Sequence, residues 1–464
     1  MMNTTSKILR YTLQFTVRAN IKQRVKTLLT IPLMALAFVS CSVFSLHNEG
    51  ANPSLKVSAS PHNSSHTFSV GAQRFEHYLP LLENKRVALV VNQSALVPLP
   101  SSSESKQVEK GRSVHLLDAL LQRGVNVRAI MSPEHGFRGD KGAGEKITNT
   151  VDSKTGLPIH SLYGKTKKPT SAMLQDIDVV VFDIQDVGVR FYTYLSTLHY
   201  VIEAAFAHDI DVVVLDRPNP NGRFVDGPVL EPTFSSFVGM HPIPVLHGMT
   251  LGELAQMIVG EMWIDAPKET RASLTVVPIA DYSRDVIYSL PVAPSPNLPN
   301  DAAIQFYPTL CFFEGTDVSI GRGTDFPFQL VGHPLIELGQ SSISVSANDA
   351  APYPKHENAT LFAHSFSADK VSMNDKNAPL MHFDHTLSGL DLELLIATYR
   401  LFKMNKKDDI NFFTRPEFFD KLAGTNRLRK MIEDGKSAEQ IRQSWQENLV
   451  RFKAQRQPYL LYPE

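Results

Sequence analysis

The chain has little cysteine and almost no net charge, and both shortages exclude classes of protein. Its 464 residues include two cysteines, Cys41 and Cys311, so a framework of disulfide bonds is not expected. The formal net charge of -1 provides no basic face for a nucleic-acid backbone. With 43% hydrophobic and 20% charged residues, the chain is ordinary globular material, long enough for two domains with substantial cores.

The apolar run near the start of the chain, residues 28–39, is too short to span a bilayer. Basic residues precede it and small residues end it, which is typical of a secretory signal peptide. Phe38-Val39-Ser40-Cys41 resembles a bacterial lipobox, whose cysteine is acylated. Residues 1–41 are therefore predicted to direct export to the periplasm, and acylation of Cys41 would anchor the protein to the outer membrane. A plain cleaved signal with an incidental cysteine is the alternative.

Beyond a polar tether at residues 42–66, short apolar runs alternate with helical periodicity. The apolar runs are nearly continuous, which indicates parallel strands covered on both faces of a sheet. We predict an α/β fold, with a Rossmann-like doubly wound parallel sheet domain at residues 67–288. The predicted strands are 86–93, 125–131, 178–182 and 211–215, and the predicted helices are 115–123 and 194–207.

The character of the chain changes after about residue 288. Four prolines between residues 291 and 299 exclude a regular helix there, and residues 307–320 are predicted to form a strand. Further helices are predicted at 389–403 and 437–456. Residues 289–464 are therefore predicted to form a smaller α+β domain, and the cleft between the two domains is the expected binding site.

Polar residues follow each predicted strand of the first domain. Because the carboxyl ends of parallel strands meet at one edge of a sheet, these residues should line one crevice. Each residue alone has a structural alternative, such as a helix cap or an Asx-turn, but the set together indicates a site. The segments are Asn92 and Gln93, Glu134 to Arg138, Asp183 to Arg190, and Asp216 to Gly222.

Several catalytic motifs are absent. The chain has no HExxH zinc motif and no Gly-x-Ser-x-Gly nucleophile turn, and the glycine-rich stretch 139–146 lacks the Lys-Ser/Thr ending of a P-loop. We therefore expect no metal and no cofactor. Chemistry by a pair of carboxylates, as in glycosidases, fits best, and the candidates are Glu134, Asp183, Asp186, Glu314 and Asp317.

Five blocks of the chain are SPEHGFRG at 132–139, FDIQDVGVRFYTY at 182–194, DRPNP at 216–220, PSPNLP at 294–299 and FEGTDVSIGRGT at 313–324. They resemble the signature blocks of the bacterial exo-β-N-acetylmuramidases. The resemblance extends from about residue 70 to the end of the chain, where residues 459–462 match the closing strand of the family. It implies removal of a terminal N-acetylmuramic acid from the non-reducing end of peptidoglycan fragments, in a cleft between a Rossmann-like domain and a smaller C-terminal domain.

The residue chemistry and the resemblance together assign roles. A departing sugar oxygen needs a proton, and a desolvated site beside Phe137 would keep Glu134 protonated, so Glu134 is predicted to be the general acid. The second role falls to Asp183, Asp186 or Glu314, in that order of preference. That role is to stabilise an oxocarbenium-like transition state, to position a water, or to orient the substrate's N-acetyl group.

Muramic acid carries a lactyl carboxylate, which suits a planar guanidinium. Arg190 and Arg322 are the preferred candidates for this group, ahead of Arg138, whereas Arg217 is expected to pair with the neighbouring Asp216. The competing hypothesis is a non-catalytic lipoprotein that binds cell-wall fragments, and a metal-dependent hydrolase of wall peptides is a third, less favoured one. The other predicted substrate-binding residues are Asn92, His135, Tyr192, Asn219, Asn297 and, as the weakest, His247, which would otherwise satisfy backbone groups at a helix start.

Overall fold

Six parallel strands form the centre of the first part of the chain in this computed structural model. Numbered among themselves in chain order, they lie in the order 3-2-1-4-5-6, the Rossmann arrangement, with a short antiparallel strand at one edge. The strands are β1 (Val87–Val91), β2 (Leu96–Pro98), β3 (Ser113–His115), β4 (Val127–Ser132), β5 (Thr150–Val151), β6 (Pro158–Ser161), β7 (Val179–Asp183), β8 (Asp211–Leu215) and β9 (Leu274–Val277). The central order is β5-β6-β4-β1-β7-β8-β9, and β2 pairs with β3 alone.

The structure describes residues 68–98, 113–134, 136–137, 149–267, 269–366, 380, 389–405 and 410–463. All of them lie in the unit Ser64–Glu464. The predicted signal peptide, lipobox and tether lie outside the described residues. The same is true of the predicted site residues His135 and Arg138 and of the glycine-rich stretch 139–146.

The central sheet is buried on both faces, as the continuous apolar runs predict. Every residue of β1 and β7 is buried. Within β1, Ala88 and Val90 pack into one apolar cluster, whereas Val87, Leu89 and Val91 pack into another on the opposite face. Because side chains alternate along a strand, each face of the sheet carries its own layer of helices and core, which confirms the doubly wound fold.

Several helices begin at polar capping residues. Thr250 and Glu253 form a capping box, and the side chains of Asn300 and Asp391 accept backbone N–H groups of the first turn. The predicted helices near 115–123, 194–207 and 389–403 are confirmed. The helices are α1 (Phe75–Leu82), α2 (Leu116–Gln122), α3 (Ser171–Leu174), α4 (Tyr194–Phe206), α5 (Leu251–Gly260), α6 (Asp301–Leu310), α7 (Leu392–Met404), α8 (Pro416–Ala423), α9 (Arg427–Glu433), α10 (Ala438–Gln443) and α11 (Gln446–Arg456).

Two predictions of secondary structure in the second part of the chain are wrong. Residues 307–320 do not form a strand, because α6 and a 3-10 helix, Cys311–Gly315, occupy most of them. The cap at Asn300 starts the helix, and its buried residues recur at helical spacing, so this local signal outweighs the aromatic content. The predicted helix 437–456 is two helices, α10 and α11, separated at Ser444 and Trp445.

A small antiparallel sheet accompanies these C-terminal helices, in agreement with the predicted α+β character. Its strands are β10 (Leu330–His333), β11 (Ser341–Ser344) and β12 (Thr360–Ser365), in the order β10-β12-β11. An apolar cluster that includes Leu330, Leu361 and Ala363 lies against it. Among the described helices, none is long and apolar enough to cross a membrane.

The last residues of the chain return to the Rossmann-like sheet. The hydroxyl of Tyr462 donates to Oδ2 of Asp216 at 2.5 Å and accepts the N–H of Ile279 at 2.9 Å. The segment is a 3-10 helix, Gln457–Tyr459, followed by extended chain, so the expectation of a closing strand is wrong. A buried hydrogen-bond network rather than strand pairing joins this C-terminal segment to the Rossmann-like part.

Candidate active site

Three of the predicted site residues lie at the carboxyl ends of β1, β4 and β7. The strand order reverses between β1 and β7, and ligands of open parallel sheets bind at this switch point. Asn92 directly follows β1, Glu134 lies just after β4, and Asp183 ends β7. The sheet therefore brings together three segments that are far apart in sequence.

Glu134 is partly buried and accepts a hydrogen bond from the hydroxyl of Thr193 at 2.9 Å. Thr193 directly precedes α4, so the start of this helix fixes the orientation of the carboxyl group. The ring of Phe137 is buried and packs edge-to-face on His115, with the ring centroids 5.0 Å apart. An apolar layer therefore lies under the turn that carries Glu134.

A polar chain links this edge of the sheet to the proline-rich segment. Nδ2 of Asn92 donates to the hydroxyl of Tyr194 at 2.9 Å, and that hydroxyl donates to the carbonyl of Pro294 at 3.1 Å. Burial raises the pKa of Tyr194 above its usual value, and the nearby Glu134 carboxylate raises it further. The hydroxyl of Tyr194 therefore keeps its proton near Glu134 and is engaged in hydrogen bonds with Asn92 and Pro294.

Asp183 is fully buried in a bidentate ion pair with Arg217. Nε of Arg217 donates to Oδ1 at 2.5 Å, and the terminal nitrogen donates to Oδ2 at 2.8 Å. We expected the Arg217 side chain to pair with Asp216, but its partner is the Asp183 carboxylate at the end of β7. Both oxygens of Asp183 are engaged at 0% exposure, so this acid has no lone pair turned toward a substrate.

Asp186 is buried beside a small cavity. Its Oδ1 accepts the N–H of Gly188 at 2.6 Å, whereas its buried Oδ2 has no hydrogen-bond partner among the described residues. Burial raises the pKa of Asp186 to about 7. The cavity, of about 10 Å³, is lined in part by Asp186, Asn219 and Thr250, and has room for one water. The Asp186 carboxyl group therefore holds a proton near neutral pH, and it lies in a buried position.

Glu314 forms a partly exposed ion pair with Arg322. Nε of Arg322 donates to Oε1 of Glu314 at 2.6 Å, and the two side chains are 22% and 26% exposed for Glu314 and Arg322, respectively. Burial pushes the pKa of Glu314 upward, but the charges of Arg322 and Lys355 outweigh it and lower the pKa. Glu314 is therefore ionised, and unlike Asp183 it reaches solvent.

Buried tyrosines form a continuous wall between the Glu134 and Glu314 regions. The ring of Tyr192 lies 4.9 Å from that of Tyr194 and 5.7 Å from that of Tyr307, both edge-to-face. The charges of both Glu314 and Arg322 act on Tyr307. Since Tyr192 is only 6% exposed, its ring packs on other aromatics, and the predicted contact with a sugar is not available to it in this arrangement.

The sequence is similar to one known family over most of its length. Family models of the exo-beta-N-acetylmuramidase NamZ match residues 87–302 with the N-terminal part and 305–462 with the C-terminal part. The chain is 38% identical over 402 residues to the peptidoglycan beta-N-acetylmuramidase NamZ of Bacillus subtilis strain 168, which covers 83% of this chain and 89% of that relative. The chain belongs to the NamZ family of exo-β-N-acetylmuramidases.

Two crystal structures of Bacteroides fragilis proteins described as DUF1343 family members share the fold of this NamZ family chain. One is 41% identical with a TM-score of 0.70, and the other is 28% identical with a TM-score of 0.66. Each comparison covers 86% of this chain and 99% of the crystallised chain. Our domain boundary at 288–289 stays a prediction, and the two NamZ family models meet slightly later, at 302–305.

Arg190 lies away from the crevice of this NamZ family member. It is 1% exposed, and its terminal nitrogens donate to the carbonyls of Pro228 (2.8 Å), Ile243 (2.7 Å) and Leu422 (2.8 Å). Burial lowers the pKa of Arg190 to about 9. Arg190 therefore joins α8 to the Rossmann-like part through these hydrogen bonds. Of the two preferred arginines, Arg322 remains the candidate for binding the lactyl group.

Three other predicted substrate-binding residues satisfy buried backbone groups. Asn219 donates to the carbonyl of Met249 at 2.9 Å, and Nδ1 of His247 accepts the N–H of Met249 at 3.2 Å. Burial lowers the pKa of His247 to about 3, with a further contribution from Arg456. Asn297 donates to the carbonyl of Ala350 at 2.6 Å. All three are nearly inaccessible, which agrees with the structural alternative that we gave for His247.

A cluster of potential metal ligands lies near Glu314, and of its members only Asp317 was a candidate carboxylate in the sequence. Side chains of Asp317, His333 and His356 lie within 4.8 Å of one another. Nδ1 of His333 accepts two backbone N–H groups, at 3.1 and 3.0 Å, so a neutral ring carries its proton on Nε2 and donates it to Asp317 at 3.1 Å. That nitrogen then offers no lone pair, and the cluster is held by hydrogen bonds.

Sequence reasoning missed two residues that hold the site together, Thr193 and Lys355. Thr193 lies within a recognised signature block and contacts Glu134, so its place directly before a predicted helix was an available signal. Lys355 lies in a region with no motif, and nothing in the sequence connects it to Glu314. Its contacts are visible only in the fold.

Proposed function

We propose that this protein is an exo-acting glycoside hydrolase that releases terminal N-acetylmuramic acid from the non-reducing end of peptidoglycan fragments. The observation that carries the proposal is the 38% identity to a peptidoglycan beta-N-acetylmuramidase over most of both chains. The site adds two partly exposed carboxyl groups, Glu134 and Glu314, in different surroundings. Such a difference is what acid and base roles require.

Glu134 is the proposed general acid. Its hydrogen-bond partner among the described residues is the neutral hydroxyl of Thr193, whereas Glu314 faces Arg322 and Lys355. These two cations lower the pKa of Glu314 and keep it ionised, so Glu314 is unsuited to donate a proton. Glu134 is therefore the proposed donor to the departing sugar oxygen.

Glu314 is the proposed partner of Glu134, which reverses our order of preference from the sequence. Asp183 is neutralised by Arg217 and fully buried, and Asp186 is closed off from solvent. Glu314 is ionised and 22% exposed, so its negative charge can stabilise an oxocarbenium-like transition state. The stereochemistry of the first product, read by proton NMR, would distinguish a retaining from an inverting reaction.

Arg322 is the residue proposed to bind the lactyl carboxylate of muramic acid. Its Nε is used by Glu314, and its side chain is 26% exposed. The two terminal nitrogens of a guanidinium can donate together to a carboxylate. The group that distinguishes muramic acid from glucosamine would thus bind beside the charged partner acid.

Turnover of a defined substrate tests the proposal. Incubation with a synthetic muramyl-glucosamine disaccharide should release free N-acetylmuramic acid, and Glu134→Gln should abolish the release while retaining binding. A wild-type protein that binds the disaccharide without cleaving it would instead support the non-catalytic binder, for which the comparisons give no support. Activity lost on chelation would support a metal-dependent hydrolase.

Export to the periplasm and acylation at Cys41 complete the proposal. The basic start, the short apolar run and the lipobox-like ending at Cys41 support it, because these are the features of a lipoprotein signal. Metabolic labelling with an alkyne fatty acid should mark the wild-type protein and leave Cys41→Ser unlabelled. Equal labelling of both would exclude lipidation at this residue.

A further inference from the structure

A lysine from the loop between β11 and β12 reaches across to the segment that carries Glu314. Nζ of Lys355 donates to the carbonyls of Phe313 at 3.0 Å, Thr316 at 2.5 Å and Val318 at 2.9 Å. These carbonyls lie on both sides of Glu314 in the chain. One ammonium group therefore ties together the whole turn that presents this carboxylate.

The three bonds use the full donor capacity of the ammonium group, which has three N–H bonds. No donor of Lys355 is left for a substrate in this arrangement. The charge of the group nevertheless acts on its surroundings, because the side chain is partly buried and poorly screened. Lys355 is thus suited to act through Glu314 and not on the sugar itself.

Charged groups of both signs surround Lys355. Glu314 and Asp317 stabilise its charge, whereas Arg415 and Arg322 oppose it. Burial outweighs the two acids and lowers the pKa of Lys355 to about 8. In turn, Lys355 is the second cation, after Arg322, that lowers the pKa of Glu314.

The far end of the same turn is braced by the histidine cluster. His356, the residue after Lys355, approaches the carbonyl of Asp317 through Nε2 at 2.5 Å, and His333 binds the Asp317 carboxylate. The turn from Phe313 to Val318 is therefore held at several points by the loop that contains Lys355. Such bracing fixes a carboxylate to within the small tolerance that catalysis demands.

We propose that Lys355 is a positioning residue for hydrolysis: it holds the Glu314 turn through three carbonyl groups and supplies the second positive charge that keeps Glu314 ionised. The proposal rests on the role of Glu314 in the proposed function. It adds a residue that lies outside all five signature blocks.

The dependence of kcat/KM on pH tests this role with Lys355→Met. Loss of the cation raises the pKa of Glu314, so the acid limb of the profile should move to higher pH by about one unit. At neutral pH, kcat should fall by about tenfold or more with a smaller change in KM, because the defect lies in the transition state. Lys355→Arg should keep the acid limb in place, since it keeps the charge. An unmoved acid limb and unchanged kcat in Lys355→Met would overturn the proposal.

The exposed Lys430, on α9, provides a matched control, and Lys430→Met should leave both the limb and kcat unchanged. Partial misfolding of Lys355→Met would lower activity at every pH without moving the midpoint, and circular dichroism at each pH identifies acid unfolding. The carboxyl resonance of Glu314, assigned with Glu314→Gln in 13C-labelled protein, gives a readout independent of turnover. If the wild type does not cleave the disaccharide, the proposed function fails, and the NMR titration still decides the effect of Lys355. A Glu314 pKa that is equal in wild type and Lys355→Met would contradict it.

Discussion

Arg217 and Asp183 form a fully buried bidentate ion pair at the carboxyl end of β7, with donor–acceptor distances of 2.5 and 2.8 Å. Arg217 also donates to the carbonyl of Leu96 at 3.0 Å. The pair therefore joins β7, the segment after β8 and the short strand β2 beneath the crevice. Asp183 was a catalytic candidate in the sequence, but in the structure it supports the segments beneath the site.

Removal of one partner of this pair should destabilise the protein strongly. Arg217→Met leaves the Asp183 charge buried without compensation, which costs about 3–5 kcal/mol. Urea unfolding should show this loss as a lower midpoint with an unchanged slope. The double variant Arg217→Met/Asp183→Asn should recover a large part of the loss, because no charge is then left unpaired. A single variant as stable as the wild type would contradict this assignment.

Glu134→Gln should remove catalysis and leave the fold intact. Glutamine matches the shape of glutamate and can still accept the hydrogen bond from Thr193, but it cannot donate a proton to the leaving group. Turnover of a chromogenic muramide should fall by about 10²–10⁴-fold. The melting temperature should change little. Near-normal hydrolysis by this variant would remove Glu134 from the mechanism.

Glu314→Gln and Asp183→Asn distinguish the two candidate partners of Glu134. Glu314→Gln should lower kcat by about 10²-fold or more, because the negative charge near the reacting sugar is lost. Asp183→Asn should chiefly lower stability, since Asp183 reaches no substrate. The comparison needs kcat per folded molecule, with the folded fraction taken from circular dichroism. The reverse pattern would restore the order of preference that the sequence suggested.

The sheet and its crevice were predictable because their signals are local and strong. Continuous apolar runs such as 87–91 and 179–182 indicate buried central strands, and the polar residues after them meet at one edge of the sheet. Whether Asp183, Arg190 and Asn219 are buried or exposed depends on partners 30 or more residues away in the chain. Arg190, for example, binds the carbonyl of Leu422. Sequence pattern finds the strand ends, but long-range packing decides which polar residues face the solvent.

Asp186 should make stability depend on pH in an identifiable window. Burial raises the pKa of Asp186 to about 7 from its ordinary value of 3.8, so the native state holds a proton that the unfolded chain releases. This contribution is fully present below about pH 4 and is lost as the pH rises to about 7. Its size is at most about 4 kcal/mol by linkage. Asp186→Asn should flatten the decline measured by urea unfolding between pH 4 and 7, whereas an unchanged slope would exclude the assignment.

Arg322→Met should erode the preference for muramides over glucosaminides. The variant loses the donors proposed to bind the lactyl carboxylate, so kcat/KM for a muramide should fall about tenfold more than that for the matching glucosaminide. Both rates should also fall together, because Glu314 loses its ion-pair partner, and the ratio separates this shared loss from recognition. Arg322→Lys keeps the charge but not the planar fork, and should restore the shared rate more than the ratio. Arg190→Met is the matched control: its guanidinium binds backbone carbonyls at 1% exposure, so it should lower stability and leave the ratio unchanged. A ratio that moves with Arg190 and not with Arg322 would transfer substrate recognition back to the residue that the structure shows buried.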